Sequence, residues 1–175
     1  MKKRVFISLD LPLEIQRKIK IVQDKLPDFL GKKIEPWNLH LTLKFIGEIE
    51  EKQVEEITKK LKEVNIKPFE IEIEKVGVFS ENFIRIIWLS VKNCEQIQAE
   101  IDQRLSSFYP IEKRFMGHLT IARVKTIKDK ASFLENLNRI KIPKIIFPVT
   151  NFRLKESIMQ EEGPVYKTLE EYNLN

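Results

Sequence analysis

The tetrads His40-Leu41-Thr42-Leu43 and His118-Leu119-Thr120-Ile121 are the same motif written twice, and they hold the chain's only two histidines. Each occupies the same slot in a longer pattern. Phe6 precedes His40 by 34 residues and Ile86 precedes His118 by 32, while Phe69 and Phe147 follow their histidines by 29 each. Both halves read strand, helix, histidine strand, helix, strand. The spacing predicts a duplicated unit of about 75 residues, with half-units roughly 1–82 and 83–160 and a closing strand to 175. Two copies are too few for a solenoid. The expected fold is α+β: a bilobal single domain of two pseudo-twofold-related sheet-plus-helix lobes around a central cleft, with helices covering the outer faces of two sheets.

Apolar periodicity places the elements. Helical stripes run through Ile15, Ile19, Val22 and Leu26; Val54, Ile57, Leu61 and Val64; Cys94, Ile97, Ile101 and Leu105; and, more weakly, Ala131, Leu134 and Leu137. Pro12 suits a first turn, and Thr126 is the expected N-cap of the fourth helix. Glu55–Lys59 and Glu56–Lys60 have i,i+4 spacing on the wet side of the second. Strands are expected at Val5–Leu9, Leu39–Ile46, Phe69–Ile73, Phe83–Val91, His118–Val124, Ile145–Val149, Phe152–Ile158 and Val165–Tyr172.

On a strand, side chains alternate between faces. His40 and Thr42 therefore share one surface, and Leu41 and Leu43 anchor the other; the second tetrad repeats this. Two such strands facing each other across a twofold aim two imidazoles and two hydroxyls at one point. One neutral and one protonated imidazole form an acid–base pair near neutral pH, and the hydroxyls can donate to non-bridging oxygens. In-line displacement at phosphorus needs these parts. A duplicated structural strand is the plainer alternative, but packing alone poorly explains the same triplet after both histidines. Two histidines and Cys94, without closely spaced ligand pairs, do not make a zinc set, so neither a metal nor any other cofactor is expected.

Composition sets outer bounds. No apolar run approaches a membrane span, so no membrane partner is expected, and the apolar stretch after Met1-Lys2-Lys3-Arg4 is too short for a signal peptide. A lone cysteine permits no internal disulfide and fits a cytoplasmic protein. The net charge of +5 permits a polyanionic ligand without demanding one.

With its tetrads, the chain resembles the 2H phosphoesterase superfamily, and within it the LigT-like RNA 2′,3′-cyclic phosphodiesterases (the 2′-5′ RNA ligase family). The likeness runs nearly end to end. It covers Arg4-Val5-Phe6-Ile7-Ser8-Leu9-Asp10-Leu11-Pro12, the flanks of both motifs from Trp37 to Gly47 and from Phe115 to Arg123, and the closing Leu154–Ser157 and Gly163-Pro164-Val165-Tyr166. One departure is Gly117, where many members carry proline. The resemblance implies a metal-independent opening of RNA 2′,3′-cyclic phosphate ends, such as those of tRNA fragments, to 2′-phosphomonoesters. It implies His40 as proton donor, His118 as proton acceptor and Thr42 and Thr120 as catalytic partners. The family is also associated with joining such an end to a 5′-hydroxyl as a 2′-5′ linkage.

Three flanking residues are further candidates for substrate binding. The resemblance suggests that Arg123 holds phosphate, although strict alternation puts it opposite His118 unless a bulge intervenes. Phe45, its repeat equivalent, reads either as a stacking surface for a base or as core. Lys44 shares the His40 face by parity and reads as an RNA-backbone contact or as a solvated lysine. Trp37 reads equally as platform or packing, and Cys94 as inert core. Two other readings compete with the enzyme on RNA ends: a non-catalytic RNA- or nucleotide-binding module, and a phosphodiesterase for a small cyclic or 2′-5′-linked nucleotide. Both half-sites lie in one chain, so a monomer is expected.

Overall fold

A computed structural model describes residues 2–175; Met1, the first residue of the basic start, lies outside them. The strands are β1 (Lys2–Asp10), β2 (Leu30–Lys33), β3 (His40–Glu50), β4 (Phe69–Val78), β5 (Ile86–Lys92), β6 (His118–Thr126), β7 (Ile145–Val149), β8 (Asn151–Gln160) and β9 (Gly163–Asn173). The helices are α1 (Leu13–Asp24), α2 (Glu51–Leu61), α3 (Glu95–Arg104) and α4 (Lys130–Asn138). All strand pairings are antiparallel, in the order β7-β4-β5-β6-β3-β1-β8-β9, with β2 alongside β6. The order reads the same from either end once β1 is matched to β5 and β3 to β6. Two lobes result, with the histidine strands β6 and β3 meeting where they join.

The sheets of the two lobes are continuous rather than separate, and the seam between β3 and β6 is one register pair, Leu41 opposite Leu119. Each lobe also takes its third strand from the other half of the chain. β4 pairs with β5, and β8 pairs with β1.

Helix burial follows the apolar stripes. α1 buries Ile15, Ile19 and Val22, α2 buries Val54, Ile57 and Leu61, and α3 buries Ile97 and Ile101. Each such side chain is worth about 1.5–3 kcal/mol, so they outweigh surface ion pairs of a few tenths. On α2, Lys60 pairs with Glu63 at 3.0 Å, not with Glu56. A reciprocal bond between Glu50 and Gln53 caps its start. The cap of α4 is Asp129, which accepts from the Ser132 N–H at 3.0 Å, while Thr126 ends β6. Strand β2 carries no alternation, because all four of its residues are exposed. Gln23, fully buried on α1, fixes its end by donating to the Ile34 and Ile121 carbonyls, both at 2.8 Å. Among the described residues no helix is long and apolar enough to cross a membrane.

Candidate active site

Both histidines are the first residue of their strand. The Nδ1 of His40 lies 2.8 Å from the Asn38 carbonyl, and the Nδ1 of His118 lies 2.9 Å from that of Met116. A carbonyl only accepts, so each Nδ1 carries hydrogen and each Nε2 is left for chemistry. Each histidine thus has its orienting carbonyl two residues before it. Leu41, Leu43, Leu119 and Ile121 are buried beneath, at 2% exposure or less. His40, Thr42, His118 and Thr120 all line one cavity of about 470 Å³.

Alternation breaks at the fourth residue of each tetrad. Across β1 and β3, Ser8 pairs with Thr42 and Ile7 with Lys44, so Leu43 is the extra residue of a bulge. Across β5 and β6, Trp88 pairs with Thr120 and Ile87 with Ala122, so Ile121 is extra. Each bulge flips the parity of the strand residues beyond it. Arg123 and Phe45 turn to the histidine face and line the cavity, which resolves the parity conflict at Arg123. Arg123 has no acidic partner among the described residues. Phe45 is 56% exposed, not core, with the Arg4 guanidinium 5.2 Å from its ring centre.

The same flip overturns the reading of Lys44. It does not share the His40 face. Its side chain is buried on the other side, where its ammonium pairs with Asp102 on α3 and donates to the Pro110 carbonyl at 2.9 Å. It is not a solvated lysine, and its ammonium is already held by Asp102 and the Pro110 carbonyl.

An aromatic ring stands edge-on to each imidazole: Tyr166 to His40 at 4.9 Å and Phe79 to His118 at 5.0 Å between centroids. Phe6 also packs on His40, at 5.0 Å. Burial drives the pKa of His40 down to about 4, against the Asn38 bond and Asp10, which favour the proton, and with Lys155 and Arg123, which oppose it. Asp10 stands opposite His40 in register. Burial alone would raise its carboxyl. Lys155 at 2.8 and 2.9 Å and Arg153 at 2.5 Å hold it below the usual range instead.

Arg4 and Tyr166 fall in segments that carry the family likeness, but no pattern singles out either of them, or Phe79, as a site residue. Arg4 comes from β1, Phe79 from the position just after β4 and Tyr166 from β9, and the strand pairing brings them here. Trp37 is 72% exposed and lies outside the cavity lining. Burial pushes the Cys94 thiol up to about 12, as suits inert core. Among the described residues, no group of three or more His, Cys, Asp or Glu is arranged to hold a metal ion.

Comparison with known proteins places this geometry. The LigT-like phosphoesterase family model matches residues 9–88 and 90–166. An RNA 2′,3′-cyclic phosphodiesterase of Methanocaldococcus jannaschii is 32% identical over 174 residues, covering 97% of this chain and 99% of the relative. One of Archaeoglobus fulgidus is 33% identical, covering 95% and 97%. Among solved structures, a Thermus thermophilus protein superposes with a TM-score of 0.81 at 24% identity, covering 98% of this chain and 97% of its own. Escherichia coli LigT complexed with 3′-AMP superposes with 0.78 at 21% identity, covering 100% and 99%.

Proposed function

The chain belongs to the LigT-like phosphoesterase family, and on that premise we propose that it hydrolyses RNA 2′,3′-cyclic phosphate ends to 2′-phosphomonoesters with His40 and His118 as its acid–base pair. The observation that carries this reading is the shared cavity. Two imidazoles with free Nε2 atoms, two threonine hydroxyls and an unpaired guanidinium converge on a space the size of one small ligand. The names of relatives over nearly the whole chain support the substrate class.

Water attacks phosphorus and gives a proton to one Nε2. The bond to the ribose 3′-oxygen breaks, its electron pair stays on that oxygen, and the other imidazole supplies the proton. Thr42 and Thr120 donate to the non-bridging oxygens, and Arg123 neutralises the charge that builds there. Proton transfer of this kind contributes about 10²–10⁴-fold, and one well-placed donor to a developing oxyanion about 10²–10³-fold. No step needs a metal. With a 5′-hydroxyl in place of water, the same atoms form a 2′-5′ linkage.

In this proposal His40 is the donor and His118 the acceptor. Burial holds the His40 pKa down at about 4, and the negative charge of a bound phosphate would favour its proton. The same value favours a second reading with the roles exchanged, His40 acting as the base. A cyclic substrate with sulfur in place of the 3′-oxygen separates the two, because a thiolate leaves without an acid. Such a substrate restores turnover to His40→Ala in the first reading and to His118→Ala in the second.

The primary test is hydrolysis of adenosine 2′,3′-cyclic phosphate in EDTA, resolving the 2′- from the 3′-monophosphate. The expected result is 2′-phosphate that persists in EDTA and disappears in His40→Ala and His118→Ala. No turnover by the folded wild type, on this and on an RNA with a cyclic-phosphate end, overturns the proposal in favour of a binding module or another nucleotide substrate.

A further inference from the structure

A second cavity of about 530 Å³ adjoins the first. The two share Thr42, Phe45 and His118 in their linings. The reaction proposed above needs only the terminal ribose and its cyclic phosphate, and one cavity of this size takes one small ligand. The second is space beyond the terminal nucleoside.

One wall of this cavity is strand β3, and the other is the segment between α3 and β6. The buried Lys44–Asp102 pair ties that segment to β3. Lys44 donates to the Pro110 carbonyl at 2.9 Å, and the Asp102 carboxylate accepts from the Glu112 N–H at 2.8 Å and from Gln98 at 2.6 Å. Side-chain exposure is 8% for Lys44 and 1% for Asp102, so moving the segment would strand a buried charge.

Two kinds of group are presented from this fixed frame. Phe79 and Phe45 are 55% and 56% exposed, Phe79 edge-on to His118 and Phe45 with the Arg4 guanidinium over its ring. Arg114 lies two residues beyond the pinned Glu112, exposed at the rim, and its guanidinium has no acidic partner among the described residues. The acidic side chain lining the cavity, Glu112, is engaged by the Arg114 backbone N–H at 2.9 Å. Exposed aromatic faces beside an unpaired cation are what single-stranded RNA uses for base stacking and phosphate contact.

We infer that this cavity binds the nucleotide on the 5′ side of the terminal cyclic phosphate, its base against the exposed rings and the linking phosphate at Arg114. The inference rests on the proposed function and predicts a preference for an oligoribonucleotide over a free cyclic nucleotide.

Kinetics on adenosine 2′,3′-cyclic phosphate and on the dinucleotide ApA ending in a 2′,3′-cyclic phosphate test it, with wild type, Arg114→Ala and Arg114→Glu. Arg114 is exposed, so both variants should fold, and circular dichroism checks this. The wild type is expected to prefer the dinucleotide in kcat/KM by about tenfold, and Arg114→Glu to abolish most of that preference. The dinucleotide should also show a steeper fall of log kcat/KM with log salt, by about 0.7 for one added phosphate contact, and Arg114→Ala should remove the difference. Equal use of both substrates by the wild type, or an equal loss on both in Arg114→Glu, overturns the subsite while leaving the proposed function intact. Hydrolysis of neither substrate overturns the function and the subsite together.

Discussion

Replacing Gly117 by alanine adds one carbon where the protein has no room for it. A Cβ built there lies 2.4 Å from the Cys94 sulfur and 2.4 Å from the Val91 carbonyl oxygen, against an ordinary contact of 3.4 Å or more. Each neighbour would have to give by about 1 Å, and neither can do so easily. Cys94 is fully buried and bonded to the Val91 oxygen, and the Val91 N–H donates to the Gly117 carbonyl at 2.9 Å. Overpacking of this size costs about 1–3 kcal/mol, which lowers the Tm of a chain this long by roughly 3–10 °C. The effect on catalysis should be larger. Gly117 sits between His118 and Met116, whose carbonyl orients the ring, and a misplacement of about 1 Å at a reacting group can cost about 100-fold. Thermal unfolding and kcat/KM on adenosine 2′,3′-cyclic phosphate measure the two effects. Adding Cys94→Ala should recover only part of the loss, since the Val91 oxygen remains. A Gly117→Ala variant with wild-type Tm and kcat/KM would refute the reasoning and leave the glycine before His118 unexplained.

Lys44→Met strands the Asp102 carboxylate, and about 3–5 kcal/mol of stability should go with it, read as a fall in Tm; Lys44→Met with Asp102→Leu should recover most of it. Weakened RNA affinity at unchanged Tm would instead return Lys44 to the substrate. The depressed pKa of His40 has a definite sign for stability. An unfolded chain takes up the proton near 6.5 and the folded one only near 4, so the contribution is complete above 6.5 and is lost as the pH falls through that window. Urea unfolding at pH 5 and pH 7.5 should show the wild type losing about 2 kcal/mol more than His40→Asn; equal losses would refute the burial argument. Arg123→Ala should lower kcat/KM by about 100-fold, and Arg123→Lys should restore only part, because an ammonium lacks the planar fork. Full recovery with lysine would show that charge alone suffices.

The elements that bury one face are legible in the sequence, because their alternation records that burial. Strand β7 has the limits expected of it, Ile145–Val149, and both histidine strands stand where the tetrads put them. Strand β2 is not legible. With no buried face it writes no pattern, and its pairing is betrayed only by Gly31, where a Cβ would meet the Arg123 oxygen at 2.1 Å. At the site, strict period-two reading holds through Thr42 and Thr120 and fails one residue later. In the second tetrad the successive aliphatics Ile121 and Ala122 hint at the bulge. In the first, Lys44 and Phe45 disguise it, since a lysine reads as outward and a phenylalanine as inward, and here each does the opposite. The partner that makes a buried lysine tolerable, Asp102, lies 58 residues away on another element.

The exchange of third strands between the lobes reaches beyond catalysis. Cut in the turn after β4, near Ser80, the chain would yield two pieces, each with one histidine and neither with a whole lobe. The first piece would hold β1 and β3 without β8, and the second would hold β5 and β6 without β4. Each would expose a sheet edge whose natural complement is a strand of the other. Assembly of the fold and pairing of the two imidazoles would then be a single bimolecular event, so the activity of a chain cut there would count reassembled molecules.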